Sequence, residues 1–252
     1  TKALHILNQP SWDKQAYYQR FSALENTYVG ESTPTYLHDK QAVQRMHEVN
    51  TDAKILVNLR EPSQFAQSWE EHVRRRRGYE QVNADVLFSS SDSVSDWRER
   101  TNYAEDIQRL FDYFPPHQVH ILLYEDFAAD NQSAMSSIFR FLDLSPEDVV
   151  GGEYNQSVRP VFSWLDAFVV SFNHGVWLDK LPISLRKKLV NFAKTILFED
   201  KEYSVSPEHK ELFKDDVIRL QHVLNEAGYD INAVSRWGYE GLVSNDVFDK
   251  IS

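Results

Sequence analysis

The apolar run Ile55-Leu-Val-Asn-Leu59 stops abruptly at Arg60-Glu-Pro62, and this junction constrains the fold more than any other stretch of the chain. The run is too short for a core helix, and its β-branched content suits a strand covered on both faces, as in a parallel α/β sheet. Pro62 fits the first turn of a following helix, where its missing N–H costs nothing. A strand feeding a helix is therefore predicted, with Arg60 leaving the strand at its carboxyl end. Ligands of open α/β sheets bind outside the carboxyl ends of the strands, and helix N-termini favour anions. Arg60 is thus an expected phosphate-binding residue. Ser68, two turns into the helix, carries a hydroxyl able to reach an anion held by the guanidinium. A surface arginine paired with Glu61, beside a serine merely tolerated in a helix, is the plainer alternative.

The rest of the chain repeats the strand–helix order. A helix over 102–114 carries the apolar stripe Ile107, Leu110, Phe111 and Phe114 and is stopped by Pro115-Pro116. A second buried strand is expected over 118–127 and an amphipathic helix over 134–142, which together predict a parallel α/β sheet. Upstream, residues 12–21 read as a helix packed by its rings, and 39–49 as a polar helix delivering the chain to the sheet. Arg74 to Arg77 close the helix begun at Pro62, where cations suit its dipole; an electropositive rim for an anionic acceptor is the functional alternative. Residues 82–97 lack a helical period and read as a loop, a natural place for acceptor specificity. From Gly151 onward strands give way to helices over 162–177, 182–198 and 207–226, with Phe213, Val217, Leu220 and Leu224 on the buried face of the last. A single domain over 1–252 is expected, with an α/β part over 1–150 and a mainly helical part over 151–252.

A hydrophobic share of 42% with 13% aromatics excludes wholesale disorder. The absence of cysteine excludes disulfides and thiol chemistry, and with no signal peptide or membrane-spanning run it predicts a cytoplasmic protein. A formal charge of −11 argues against a nucleic-acid partner but leaves room for small anions in a local cationic pocket. No cluster has metal-ligand spacing, so no metal is expected. Oligomeric state is not encoded in any motif.

Several short motifs, in order, give the chain a family resemblance. Leu59-Arg-Glu-Pro62 with Ser68 resembles the 3′-phosphate-binding segment of sulfotransferases that use 3′-phosphoadenosine 5′-phosphosulfate (PAPS). Gly30-Glu-Ser-Thr-Pro-Thr-Tyr-Leu37 resembles a segment of bacterial sulfotransferases preceding that strand, and Leu122-Leu-Tyr-Glu-Asp-Phe127 with Ile138-Phe-Arg-Phe-Leu-Asp-Leu144 resembles their core strand and packing helix. Asp215 to Leu224, followed by Tyr229-Asp-Ile231 and Trp237, resembles their C-terminal helix and tryptophan closure.

The resemblance implies a three-layer fold of the P-loop NTPase-like sulfotransferase type, with a central parallel sheet and a helical C-terminal half. It implies sulfuryl transfer from PAPS to a hydroxyl or amine of a glycan or small-metabolite acceptor, with adenosine 3′,5′-bisphosphate leaving. Arg60 and Ser68 would hold the 3′-phosphate. Lys2 and His5 fit a lysine-glutamate-x-histidine segment that lines the active site in bacterial and glycan sulfotransferases, but Ala3 replaces the glutamate proposed there as catalytic base. Lys2 would then neutralise the leaving group and His5 would serve as base; a solvated lysine and a half-buried histidine on an edge strand is the alternative. Tyr124, Glu125 and Asp126 take structural roles, with a catalytic carboxylate at Glu125 as the other reading. Arg159, in Asn155-Gln-Ser-Val-Arg-Pro160, is a candidate ligand in a loop near nucleotide or acceptor. The family's loop for the 5′-phosphosulfate is not among these residues, and its expected place is about 30 to 40 residues upstream of Lys2. A non-catalytic relative that binds nucleotide or a partner is therefore the second functional expectation. A nucleoside-phosphate kinase is disfavoured, since phosphoryl transfer needs the same loop and a metal-binding carboxylate.

Overall fold

A computed structural model describes residues 4–21, 29–89, 93–145, 158–160, 198–200 and 205–243. The chain forms two compact units, one of Thr1–Val149 with Val205–Ser252 and one of Val150–Ser204.

The first unit opens with a short helix, α1 (Lys14–Gln19), capped by the Asp13 carboxylate. Helix α2 (Lys40–Val49) starts where Asp39 accepts from the N–H groups of Gln41 and Ala42, which otherwise lack partners in a first turn. Strand β1 (Ile55–Leu59) then runs into α3 (Pro62–Arg77), which ends at Gly78 in the left-handed region that glycine adopts without penalty. After α4 (Ala84–Ser89) come α5 (Tyr103–Tyr113) and β2 (Val119–Leu123). Two helices follow, α6 (Tyr124–Ala129) and α7 (Asn131–Phe141).

Strands β1 and β2 pair in parallel, from Ile55 opposite Val119 to Leu59 opposite Leu123. This register aligns their carboxyl ends, so the residues immediately beyond, Arg60 and Tyr124, emerge side by side. Val57, Leu59, Val119, Ile121 and Leu123 share one buried face. The other face is unequally covered. On β2, His120 stacks on Phe141 of α7 at 5.1 Å and bonds Ser137 at 3.1 Å, and burial lowers its pKa. On β1, Leu56 and Asn58 are exposed, which corrects the expectation of a strand covered on both faces. The polar Asn58, alternating with buried Val57 and Leu59, is the half-buried pattern that the short apolar run obscured.

The core is closed from the end of the chain. Helix α8 (Pro207–Glu211) precedes α9 (Lys214–Glu226), and α10 (Ala233–Arg236) follows. The expected single helix over 207–226 is therefore two, with Leu212 and Phe213 at the break. Val217, Leu220 and Leu224 of α9 pack with Ile107 and Leu110 of α5 and with Phe114 just past its end, all fully buried. Gln221 is buried with them because its amide donates to Ile231 O at 2.7 Å and accepts from Ala233 N–H at 2.7 Å.

Two further expectations are corrected. The segment read as a loop over 82–97 contains α4, whose Leu87 and Phe88 are buried, Phe88 against Trp97 and Phe213; a one-and-a-half-turn helix is too short to display a period. In the second unit, β3 (Val158–Pro160) pairs antiparallel with β4 (Phe198–Asp200), so strands continue past Gly151 and the end of the helix expected over 182–198 is extended. Three-residue strands joined across a long interval leave no local alternation to read. Arg159 lies in β3, while the body of the helices expected over 162–177 and 182–198 lies outside the described residues.

Candidate active site

The site is built on Glu61, which is almost completely buried at the junction of β1 and α3. Its carboxylate caps the helix: one oxygen accepts from Ser63 N–H at 3.2 Å and the other from Gln64 N–H at 2.8 Å and Ser63 Oγ at 2.5 Å. The first oxygen also accepts from the hydroxyl of Tyr239 at 2.7 Å. The Glu61 N–H donates to Glu125 at 3.0 Å, and the second oxygen of Glu125 accepts from the indole of Trp237 at 2.8 Å. Residues from both strand ends and the C-terminal segment are thus locked in one network. Burial and the Glu61 charge raise the pKa of Tyr239, and burial above all raises that of the enclosed Tyr103. This arrangement corrects one expectation. The leading N–H groups of α3 are occupied by Glu61, so the helix N-terminus is not itself an open anion site, and an anion here must be held by side chains.

Arg60 is oriented by that frame. Its guanidinium donates to Gln64 Oε1 at 3.3 Å and lies 4.8 Å from the centre of the Tyr124 ring. Gln64 and Tyr124 thus fix where the guanidinium points. Gln64 and Ser68 are one helical turn apart on α3, so the half-buried Ser68 follows Gln64 on the face against which Arg60 lies. Tyr124 was expected only to be structural. Its proximity to Arg60 follows from strand register, which no local signal encodes. Glu125, by contrast, has both oxygens committed to Glu61 and Trp237, a structural arrangement.

His5 stands in a different hydrogen-bonded neighbourhood. It is exposed, has a positive φ of 52°, and its Nδ1 is 3.4 Å from Thr35 Oγ1. Lys2 lies outside the described residues.

The arginine run divides by burial. Arg74 is buried and paired with Glu70 at 2.7 Å, whereas Arg75, Arg76 and Arg77 are exposed. Glu70 also accepts from Ser93 Oγ, Val94 N–H and Ser95 N–H at 2.8 to 3.0 Å, pinning the segment after α4 to α3. These bonds outweigh desolvation and lower its pKa. Nearby, Asp96 takes hydrogen bonds from Arg100 and the Trp69 indole, and the Arg100 contact holds its carboxyl down at about 2. Among the described residues no group of three or more His, Asp or Glu side chains is placed to hold a metal, and no helix is long and apolar enough to cross a membrane.

Residues 5–148, which include Arg60, its cradle and His5, match the profile of the sulfotransferase family. The chain belongs to the sulfotransferase family. Within it, the chain is 29% identical over 174 residues to the bifunctional heparan sulfate N-deacetylase/N-sulfotransferase 3 of Mus musculus, a match covering 64% of this chain and 18% of that protein. The Drosophila melanogaster bifunctional heparan sulfate N-deacetylase/N-sulfotransferase is 27% identical over 150 residues, covering 52% of this chain and 14% of its own length. This sulfotransferase-family chain therefore spans less than a fifth of the curated relatives it matches. The crystal structure of a sulfotransferase from Alicyclobacillus acidocaldarius superposes with a TM-score of 0.56 at 23% identity, over 90% of this chain and 74% of that one, and shares the α/β fold.

Proposed function

We propose that this chain carries the nucleotide-holding part of a PAPS-dependent sulfotransferase, acting on a hydroxyl or amine of a glycan or small-molecule acceptor. The observation that carries the proposal is the placement of Arg60, a half-buried guanidinium at the carboxyl end of a parallel strand, aimed by Gln64 and Tyr124 along the helix face that bears Ser68. A dianionic 3′-phosphate fits these residues, since the guanidinium supplies paired donors and the serine a further one. The exposed Tyr124 ring would form one wall beside it. PAPS supplies an activated sulfuryl group. In the transfer His5 takes the acceptor proton as the new bond to sulfur forms; the bond from sulfur to the 5′-phosphate oxygen breaks, and its electron pair leaves with adenosine 3′,5′-bisphosphate. Lys2 would offset the charge on that leaving group.

Calorimetric titration with adenosine 3′,5′-bisphosphate tests the proposal. Arg60→Ala should weaken binding by about 2 to 4 kcal/mol, the scale for losing a charge-assisted phosphate contact. Equal affinity in wild type and variant would refute it. A non-catalytic relative is the second reading, favoured by Ala3 in place of the family's glutamate. Nucleotide binding without sulfate transfer to any acceptor, in the full-length protein, would establish it.

A further inference from the structure

His5 holds a backbone conformation that side chains disfavour, and the surrounding residues enforce it. Three consecutive main-chain N–H groups are taken by two hydroxyls: that of His5 by Thr33 Oγ1 at 3.4 Å, and those of Ile6 and Leu7 by the Tyr36 hydroxyl at 2.9 and 3.1 Å. Each hydroxyl donates a hydrogen bond to the same carboxylate oxygen, Glu31 Oε1, from Thr33 at 3.0 Å and from Tyr36 at 2.6 Å. A hydroxyl has one proton, so committing it to Glu31 turns the oxygen's lone pairs towards the main chain. Arg45 closes the other side by donating to Leu7 O at 2.7 Å and Gln9 O at 2.9 Å. The buried Leu7 side chain packs with Tyr36 and Ala42. Tyr17 also faces the carboxylate: burial and the Glu31 charge together raise its pKa. Locally strained backbone persists only where its surroundings over-determine it in this way.

We propose that Glu31 is a positioning residue, which through the hydroxyls of Thr33 and Tyr36 fixes residues 5–7 so that the His5 imidazole stands at the transfer site. The inference rests on the proposed role of His5 as base and adds the device that aims it. Thr35 completes the arrangement: its Oγ1, which accepts from Asn8 Nδ2 at 3.2 Å, meets His5 Nδ1 at 3.4 Å, so that in the proposed role Nε2 would take the acceptor proton.

The test is a double-mutant cycle between His5 and Tyr36 in the full-length protein, read as sulfate transfer from labelled PAPS to a panel of hydroxyl acceptors. Tyr36→Phe keeps the packed ring and deletes the hydroxyl. It should lower kcat about tenfold while KM for PAPS stays within about twofold, because a base displaced from its position affects the transition state and not cofactor binding. In the His5→Gln background the same substitution should change kcat by less than about twofold, since residues acting through one another are not additive. Thr33→Val, nearly isosteric, should behave alike and serves if the Tyr36 variant is destabilised. Full turnover in both single variants, or losses that multiply with that of His5→Gln, would overturn the positioning role while leaving His5 as base. Wild-type turnover in His5→Gln would instead remove the base itself, and the positioning role with it.

Discussion

Glu61→Gln isolates the contribution of one buried carboxylate without changing its volume. Both oxygens of Glu61 accept main-chain N–H groups, one from Ser63 and the other from Gln64. In the glutamine variant one oxygen becomes an NH2 donor, so whichever way the amide turns, one N–H in the first turn of α3 meets another donor. If the amide nitrogen takes the Ser63 side, the hydroxyl of Tyr239 also loses its acceptor. If it takes the Gln64 side, the Ser63 hydroxyl can rotate to accept, and this is the preferred orientation. The loss then comprises one charge-assisted bond, at about 1.5 to 3 kcal/mol, and the weakening of the remaining bonds from charged to neutral. The expected destabilisation is about 2 to 4 kcal/mol. Urea unfolding measures it, with an unchanged m-value showing that both states are otherwise preserved. A loss below about 0.5 kcal/mol would refute the reasoning, since it would mean that Glu61 does not cap a buried helix start.

Ser68→Ala should weaken adenosine 3′,5′-bisphosphate by about 1 kcal/mol and leave adenosine 5′-phosphate nearly unchanged in calorimetry; equal weakening of both would make the serine structural. Glu70→Ala should cost about 3 to 5 kcal/mol in urea unfolding, because it removes the carboxylate paired with the buried Arg74 and frees the Ser93–Ser95 main chain; a loss under about 1 kcal/mol contradicts this. Burial lifts the Asp216 carboxyl from 3.8 to about 6, so between those values the unfolded chain ionises first and folding stability falls as pH rises. Asp216→Asn should remove that decline, making the variant more stable relative to wild type at pH 7 than at pH 4 by about 2 to 3 kcal/mol; parallel stability curves would contradict it.

The strand–arginine–proline–helix junction was legible because each part is a local constraint: a short apolar run, a fixed φ at Pro62, and an acidic residue immediately before it. The core helices were legible for a related reason. The spacing of Ile107, Leu110 and Phe114, and of Val217, Leu220 and Leu224, is the helical period itself, and these residues are fully buried. The sequence by itself therefore determined the strand–helix succession around β1 and α3, the buried faces of the core helices and the position of Arg60 at a strand end. It could not determine what surrounds Arg60. Tyr124 reaches it only because β1 and β2 pair in one register, and Tyr239 and Trp237 reach Glu61 and Glu125 only because a distant segment folds back. Nor did it show that Glu61 occupies the helix start expected to receive an anion, or that Glu31 accepts from the two hydroxyls that hold the main chain of residues 5–7. Those outcomes depend on hydrogen bonds between residues far apart in the chain. Such bonds leave no periodicity, and their partners are chosen by packing, which exists only once the core has closed.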